Sequence, residues 1–146
     1  IEFARNVLGL KDANSSELDP EGKYSVIDIL PEQEGVKDMG ASMRLGDHEV
    51  VISGGKAKDL YNSNIIFERH RHRYEINPEY ISQIEEKGMK YTGRDKSGRR
   101  MEVLELENHP YFMASQFHPE FKSRPDNPSP LHFGLVKAAL EHKKIN

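Results

Sequence analysis

The sequence predicts an α/β fold to which antiparallel strands are added. Short apolar runs typical of strands alternate with segments of helical periodicity along the 146 residues. Gly-containing turns separate two pairs of these runs, as in antiparallel hairpins. Cysteine is absent, which excludes a disulfide scaffold and any thiolate metal site.

The first part of the chain predicts a helix, a loop and a strand. Residues 1–10 repeat apolar side chains at helical spacing, with no capping residue before them. Residues 14–17 (Asn-Ser-Ser-Glu) indicate a loop with capping side chains. Residues 25–30 form an apolar run closed by Pro31, which predicts a strand, and the polar stretch 31–40 predicts a loop.

The middle of the chain predicts two antiparallel hairpins. The first would turn at Gly46-Asp47 and the second at Lys96-Ser97-Gly98, because Gly readily adopts the backbone conformations of tight turns. The four strands of these hairpins are predicted over 42–45, 48–53, 90–94 and 101–107.

Two further helices have explicit start signals. Asn77 is a good N-cap, Pro78 is a good first helical residue, and Gly88 predicts the end of this helix. Ser129-Pro130 starts the last helix in the same way. The apolar residues on or near one face of that helix are Leu131, Leu135, Ala138 and Ala139.

Composition and charge exclude several classes of partner. The formal net charge is −3 with both signs interspersed, which gives no basis for a nucleic-acid or anionic-membrane partner. No apolar run approaches the length of about 18 residues that a transmembrane helix needs. The first ten residues lack the basic and apolar regions of a signal peptide. A cytoplasmic location is therefore expected.

His118 and Glu120 have the clearest chemical potential, at the end of a strand predicted over 111–117. In an extended chain, residues i and i+2 point the same way, so the two side chains can lie side by side. A carboxylate beside an imidazole fixes its tautomer and stabilises its charged form. This is the base and orienting acid of a nucleophilic triad, which also needs a Ser, Cys or Thr. Taken alone, a His-x-Glu pair is more often a surface or structural histidine.

The charged segment Glu68–Glu75 (ERHRHRYE) allows three interpretations. Its arginines could present a fork for a carboxylate ligand, because guanidinium groups bind carboxylates in a bidentate manner. It could equally be an edge strand whose solvated charges oppose aggregation. A metal site built from His70 and His72 is the third interpretation, although no further ligand lies at a suitable spacing.

Two other segments have structural interpretations beside functional ones. Glu17 could accept a ligand ammonium, but it could also be a capping residue of its loop. Met43–Gly46 (MRLG) is expected to be a strand end and a turn. Neither a metal-binding motif nor a common Gly-rich phosphate loop occurs in the sequence.

Taken together, these segments resemble the glutamine amidotransferase domain of CTP synthases along essentially the whole chain. Five strings occur in the family's order, and the spacing between Arg73 and His118 also matches the family. The strings are Ile1–Asn6 (IEFARN), Asn14–Glu17 (NSSE), Met43–Gly46 (MRLG), Glu68–Glu75 (ERHRHRYE) and Gln116–Phe121 (QFHPEF).

The resemblance implies a class I glutamine amidotransferase fold, which is flavodoxin-like, and glutamine hydrolysis as the activity. In this family a cysteine attacks the amide of L-glutamine, and the ammonia reaches a synthetase domain that converts UTP to CTP with ATP and magnesium. The resemblance places the catalytic residues at His118 and Glu120 and the glutamine-binding residues at Glu17 and Arg73. It implies no cofactor or metal in this part of the protein, and a homotetramer for the full-length protein.

The chain also departs from the family. The nucleophilic cysteine and the oxyanion-hole glycine of the family precede the position that Ile1 matches. The loop over 31–40 looks short, and Ala41-Ser42 stands where Gly-Thr is common. We therefore expect residues 1–146 to be the C-terminal part of one amidotransferase domain, without the nucleophile segment and the synthetase domain, and inactive alone.

Three alternatives stay open at this stage. Another class I amidotransferase or a γ-glutamyl hydrolase would share the His-Pro-Glu string, although the His-Arg-His-Arg-Tyr-Glu string favours CTP synthase. A Cys-free degenerate glutaminase would bind glutamine or a partner and hydrolyse nothing. A metal-binding module would use His70 and His72.

Overall fold

The computed structural model describes residues 1–30 and 43–145, so the predicted loop over 31–40 and the departure at Ala41-Ser42 lie outside the described residues. The described residues form two compact units, each with its own sheet. None of their helices is long and apolar enough to cross a membrane. In chain order the elements are α1 (Glu2–Asn6), β1 (Ala13–Ser15), β2 (Tyr24–Asp28), β3 (Arg44–Ile52), α2 (Gly55–Tyr61), β4 (Ile65–His72), β5 (Glu75–Ile76), α3 (Pro78–Glu86), β6 (Met89–Asp95), β7 (Met101–Leu106), β8 (Met113–Ser115), a 3₁₀ turn (Pro119–Phe121) and α4 (Pro130–Ile145).

The first unit consists of Ile1–Arg44 and His72–Met89 and contains a three-stranded sheet. Its strands lie in the order β1-β2-β5, with β2 parallel to β1 and antiparallel to β5. Ala4, Ala13 and Val26 form the buried apolar cluster of this unit. Its strands are only two to five residues long, so the loops that join them lie close to the strand ends.

The second unit consists of Leu45–Arg71 and Lys90–Asn146 and contains a five-stranded sheet in the order β4-β3-β6-β7-β8. β3 is antiparallel to β6, and β7 is antiparallel to β8. Among the described strands, β4 and β8 are therefore the two edges. The buried apolar cluster of this unit consists of Val50, Ile52, Ala57, Ile66, Val103, Phe117 and Leu131.

Several elements occur where the sequence predicts them. α3 begins after Asn77, whose Oδ1 accepts a hydrogen bond from the Glu79 N–H (3.0 Å), and Gly88 follows its end with φ 96°. The second hairpin joins β6 to β7, and in its turn the Gly98 N–H donates to the Asp95 carbonyl (2.9 Å). The predicted mixture of helices, strands and added antiparallel pairs is confirmed.

The predicted hairpin at Gly46-Asp47 is wrong. β3 runs without reversal from Arg44 to Ile52, and Gly46 lies inside it with φ 85°. Because β3 lies between β4 and β6, its partners come from distant parts of the chain, and one glycine of positive φ is accommodated as a local irregularity. Residues 13–15 likewise form β1, partly replacing a predicted loop, because they pair with β2.

The last helix occurs as predicted but buries less of its apolar surface than expected. Leu131 is 7% exposed, whereas Leu135 is 53% exposed and Ala139 is also exposed. The helix approaches the rest of its unit at Gly134, where an added Cβ would lie 2.7 Å from the Leu60 side chain. Contact therefore concentrates at the first turns of α4.

Candidate active site

His118 lies where the chain leaves β8 and enters the 3₁₀ turn. The preceding residue, Phe117, is 2% exposed and belongs to the core of the second unit. The His118 N–H donates to the Arg69 carbonyl on β4 (2.9 Å), and the His118 carbonyl accepts from the Phe121 N–H (3.2 Å). A buried anchor and two backbone hydrogen bonds therefore fix the backbone from which the imidazole projects.

The His118 and Glu120 side chains form a close hydrogen-bonded pair. His118 Nδ1 lies 2.7 Å from Glu120 Oε1, and the two side chains are 39% and 56% exposed. The hydrogen bond from His118, together with the backbone N–H of Glu120 itself, lowers the pKa of the Glu120 carboxyl below its ordinary value. An ionised carboxylate only accepts hydrogen bonds, so Nδ1 is the donor of this bond and Nε2 is left to exchange a proton with a substrate.

The predicted juxtaposition of these two side chains is confirmed, but the local structure that produces it differs from the prediction. Glu120 belongs to the 3₁₀ turn (Pro119–Phe121) and not to an extended strand exit. Pro119 occupies the first position of this turn, where its fixed φ and missing N–H are tolerated. The turn brings the carboxylate back towards the imidazole of the residue that precedes it.

The residues after Glu120 hold the same segment against β4. The Phe121 ring stacks on the His118 ring, with 5.0 Å between centroids and 26° between planes. Lys122 Nζ donates a hydrogen bond to the Phe67 carbonyl on β4. The edge strand β4 thus accepts hydrogen bonds from both ends of the segment that carries the pair.

The charged segment of β4 alternates between the core and the surface. Glu68 and His70 are 5% and 2% exposed, while Arg69 and Arg71 are exposed. The predicted edge strand is therefore correct, although only half of its charges are solvated. Glu68 accepts a hydrogen bond from the Tyr61 hydroxyl (3.0 Å), and burial raises the pKa of the Glu68 carboxyl.

The two histidines proposed as a metal site have separate acidic neighbours. His70 lies in the core, with Nδ1 3.7 Å from Glu102 Oε2, and its ring contacts that of Phe117. His72 Nδ1 lies 3.6 Å from Glu75 Oε1. The described part of the chain contains no group of three or more His, Asp or Glu residues arranged to hold a metal ion.

Glu17 and Arg73 lie near the strand ends on one side of the first unit's sheet. This edge is formed by the ends of β1 and β2 and the start of β5, and not by an outer strand. β1 ends two residues before Glu17, and β5 begins two residues after Arg73. Since β1 is parallel and β5 antiparallel to β2, the end of β1 and the start of β5 meet at the same edge. Neighbouring strands are about 4.8 Å apart, so β1 and β5 on either side of β2 are about 10 Å apart.

The arrangement at this edge suits a small zwitterion. Glu17 is exposed, and its backbone N–H donates to the Ser15 hydroxyl (3.2 Å). The Nε of Arg73 is buried and has no hydrogen-bond partner among the described residues. A carboxylate on one side and a guanidinium donor on the other are complementary to the ammonium and carboxylate of an α-amino acid. His118 and Glu120 belong to the second unit.

Asp28 and Ser16 are residues of this edge that the sequence analysis did not single out. Ser16 Oγ donates to Asp28 Oδ1 (2.5 Å), which links the loop after β1 to the end of β2. The only sequence signal was indirect: Ser16 immediately precedes Glu17, and Asp28 ends an apolar run. Strand register, which brings the two together, is not visible in the sequence.

Comparison with protein families and curated proteins gives a consistent result. The family model for class I glutamine amidotransferases matches residues 1–138. The chain is 57% identical to the CTP synthase of Archaeoglobus fulgidus over 145 residues, which is 99% of this chain and 27% of that protein. It is 51% identical to the CTP synthase of Bacillus subtilis over 142 residues, which is 97% of this chain and 26% of that protein. The chain thus spans about a quarter of the length of these relatives.

Comparison with solved structures agrees with the family match. The glutaminase domain of Trypanosoma brucei CTP synthase with bound acivicin superposes with a TM-score of 0.90 at 36% identity. The match covers 97% of this chain and 55% of that one. A GMP synthase protein from Thermoplasma acidophilum matches with a TM-score of 0.50 at 14% identity, over 70% of this chain and 47% of that one, and so supports the fold alone.

These comparisons confirm the predicted fold class, a class I amidotransferase fold with added antiparallel strands. The chain belongs to the class I glutamine amidotransferase family and corresponds to the glutaminase part of CTP synthases.

Proposed function

We propose that this chain is part of the glutaminase of a CTP synthase. It supplies His118, which acts as general base and general acid, and the residues Glu17 and Arg73, which bind glutamine. The observation that carries the proposal is the His118–Glu120 pair, with 2.7 Å between Nδ1 and Oε1 and both side chains accessible from solvent. The reaction is hydrolysis of L-glutamine to glutamate and ammonia. The ammonia then serves the ATP-dependent amination of UTP to CTP.

The chemistry requires a nucleophile from outside the 146 residues, because they contain no cysteine. A cysteine thiol gives its proton to His118 Nε2, and the resulting thiolate attacks the amide carbon and forms a tetrahedral oxyanion. The imidazolium returns this proton to the departing nitrogen, so that ammonia leaves and a thioester remains. His118 next takes a proton from water, which attacks the thioester, and glutamate is released as the thiolate re-forms.

Glu120 orients the base in both half-reactions. Its lowered pKa keeps the carboxylate ionised at neutral pH, so the hydrogen bond at Nδ1 holds the ring and stabilises the imidazolium. Oxyanion stabilisation comes from backbone N–H groups outside this chain, as in other acyl-transfer sites. Glu120 therefore acts through His118 and does not touch the substrate.

Glu17 and Arg73 bind the amino-acid head of glutamine. The Glu17 carboxylate receives the α-ammonium, and the Arg73 guanidinium donates to the α-carboxylate. Support comes from their position at one edge of the first sheet and from the buried Arg73 Nε, which no described residue satisfies.

The remaining parts of the reaction belong to the whole protein. A synthetase domain of the same polypeptide holds ATP and magnesium, and the full-length protein is a cytoplasmic homotetramer. Residues 1–146 form part of one glutaminase domain. Without the cysteine, the 146 residues alone bind glutamine weakly and do not hydrolyse it.

The proposal is tested in the full-length natural protein that contains this chain. His118→Ala is expected to abolish CTP formation from glutamine and to leave CTP formation from added ammonia intact, because only hydrolysis needs the imidazole. Both rates are measured by the absorbance change on conversion of UTP to CTP. Loss of both activities, or retention of both, would contradict a role confined to glutamine hydrolysis.

A second candidate function is binding without hydrolysis. A Cys-free glutaminase-like protein would bind glutamine, or a partner, without hydrolysing it. The two functions are separated by measuring ammonia release and glutamine binding on the same full-length sample. Binding in the micromolar to millimolar range without ammonia release would support the second function, and release of ammonia would exclude it.

A further inference from the structure

The loop that carries Glu17 is fastened to the middle strand of the first sheet. The Ser16 N–H donates to the Ile27 carbonyl (3.0 Å), and Ser16 Oγ donates to Asp28 Oδ1 (2.5 Å). The same Asp28 oxygen accepts from the Ile29 N–H (2.8 Å), which fixes the rotamer of the carboxylate. Ser16 is therefore held by both its backbone and its side chain.

The backbone of Glu17 is also fixed from the other side. Ser15 is 5% exposed, and its hydroxyl accepts from the Glu17 N–H (3.2 Å). The Ser15 carbonyl accepts from the N–H groups of Leu18 and Asp19, each at 3.0 Å. Glu17 thus projects from a turn whose flanking residues cannot move independently of β1 and β2.

Asp28 also adjoins the segment that carries Arg73. In the antiparallel register of β2 and β5, Asp28 lies directly opposite Glu75, two residues after Arg73. Asp28 is half-buried and lies at the end of β2, between the end of β1 and the start of β5. Asp28 therefore contacts the segment of Glu17 through Ser16 and pairs with the start of β5, which follows Arg73.

We propose that Asp28, acting through Ser16, is a positioning residue that sets the separation of Glu17 from Arg73 and thereby the affinity for the α-amino-acid head group. This inference rests on the proposed function. The reason is geometric: an ammonium and a carboxylate on one carbon have a fixed separation, so both contacts form only if the two side chains are held at a matching distance. The effect belongs to substrate binding, since the reacting amide lies elsewhere on glutamine.

The separation of Glu17 from Arg73 depends on the hydrogen bonds that Asp28 accepts and not on the charge of Asp28. The amide of Asp28→Asn retains an oxygen that can accept from Ser16 Oγ and the Ile29 N–H, whereas Asp28→Ala has no acceptor. A lost interaction that is equal in the ground and transition states raises KM and leaves kcat unchanged. Loss of one ordinary hydrogen bond corresponds to a loss of up to about tenfold in affinity.

The experiment measures glutamine-dependent and ammonia-dependent CTP formation by the full-length protein and its variants. Asp28→Ala and Ser16→Ala are each expected to raise the glutamine KM about tenfold with kcat within about twofold. Asp28→Asn is expected to keep the KM within about twofold of the parent protein. The glutamine KM of the double variant Ser16→Ala/Asp28→Ala should be no higher than that of the more impaired single variant, because both substitutions remove the same contact.

Ammonia-dependent activity and its pH profile serve as the control for folding and should not change in any variant. An Asp28→Ala protein with unchanged glutamine KM would overturn the inference. So would an Asp28→Asn protein as impaired as Asp28→Ala, or a Ser16→Ala protein with normal KM. If Asp28→Ala fails to fold, the Asp28→Asn and Ser16→Ala results still decide the question. Absence of glutamine-dependent activity in the parent protein would instead refute the proposed function.

Discussion

The second unit contains two His–Glu pairs that differ in almost every physical respect. His118 and Glu120 are partly exposed, and their nitrogen and oxygen atoms are 2.7 Å apart. His70 and Glu102 are completely buried, and the corresponding atoms are 3.7 Å apart. The two pairs are close to each other along the structure: the His70 ring contacts the Phe117 ring, and Phe117 directly precedes His118 in the chain.

The comparison shows that residue type alone does not identify the reactive pair. A base must reach the proton that it moves, so an exposed imidazole with one nitrogen already oriented is suited to catalysis. The buried His–Glu pair is inaccessible to a substrate, and its imidazole packs in the core against Phe117. We expect substitutions at the exposed pair to affect catalysis and substitutions at the buried pair to affect stability.

Removal of the orienting carboxylate of Glu120 should give the largest difference between the exposed and the buried pair, and the difference is in kcat. Glu120→Ala in the full-length protein should lower kcat for glutamine hydrolysis by about 10²-fold or more, because His118 loses its fixed tautomer and its stabilised charged form. Ammonia-dependent activity should not change. Glu107→Ala removes an exposed glutamate from the same unit and is the matched control, with normal activity expected. Equal losses in both variants would contradict the role given to Glu120.

The buried pair should behave in the opposite way. His70→Leu or Glu102→Met alone leaves the other polar group buried, which typically costs about 3–5 kcal/mol. The double variant His70→Leu/Glu102→Met should be much less destabilised than the sum of the two, since an apolar pair replaces both groups. Hydrogen exchange of β4 and β7, followed by mass spectrometry in the full-length protein, measures this local stability. Additive losses would show that the two residues act independently.

The smallest expected effect concerns pH. The hydrogen bond from His118 lowers the pKa of Glu120, so the interaction is fully present above the ordinary glutamate pKa and is lost only as pH falls through the lowered value. Protonation of Glu120 should therefore contribute no loss of activity above about pH 5. The measurement is the pH titration of the Glu120 carboxyl carbon by ¹³C NMR, with the resonance assigned by its absence in Glu120→Gln, and its midpoint should lie below the ordinary glutamate value of about 4.3. A midpoint above that value would contradict the hydrogen bond from His118 as the dominant influence on this carboxyl.

Local signals in the sequence predicted those elements whose structure depends on neighbouring residues. The two ends of α3 are set by local chemistry that needs no tertiary partner. Asn77 and Pro78 start the helix, and Gly88 ends it. The hairpin of β6 and β7 follows from the Ser97-Gly98 turn. The proximity of His118 and Glu120 was also predictable, because residues two apart meet in either an extended chain or a 3₁₀ turn.

Elements that depend on distant partners were not predictable in the same way. The Gly46 turn signal is overridden because β3 is flanked by β4 and β6, which lie later in the chain. The alternating charges of β4 give no indication that Glu68 and His70 face a core, since charged residues are seldom buried without partners. The contact between Ser16 and Asp28 depends on the register of β1 against β2.

The sequence by itself determined the family, the proximity of His118 and Glu120, and the start and end of α3, because each depends on residue identity at short spacing. Only the tertiary structure decided which His–Glu pair is accessible, which strand forms the edge that holds His118, and which strands bring Glu17 and Arg73 to one edge. Burial and strand order arise from the packing of segments far apart in the chain. Physical proximity between such segments is a property of the folded chain that residue spacing cannot express.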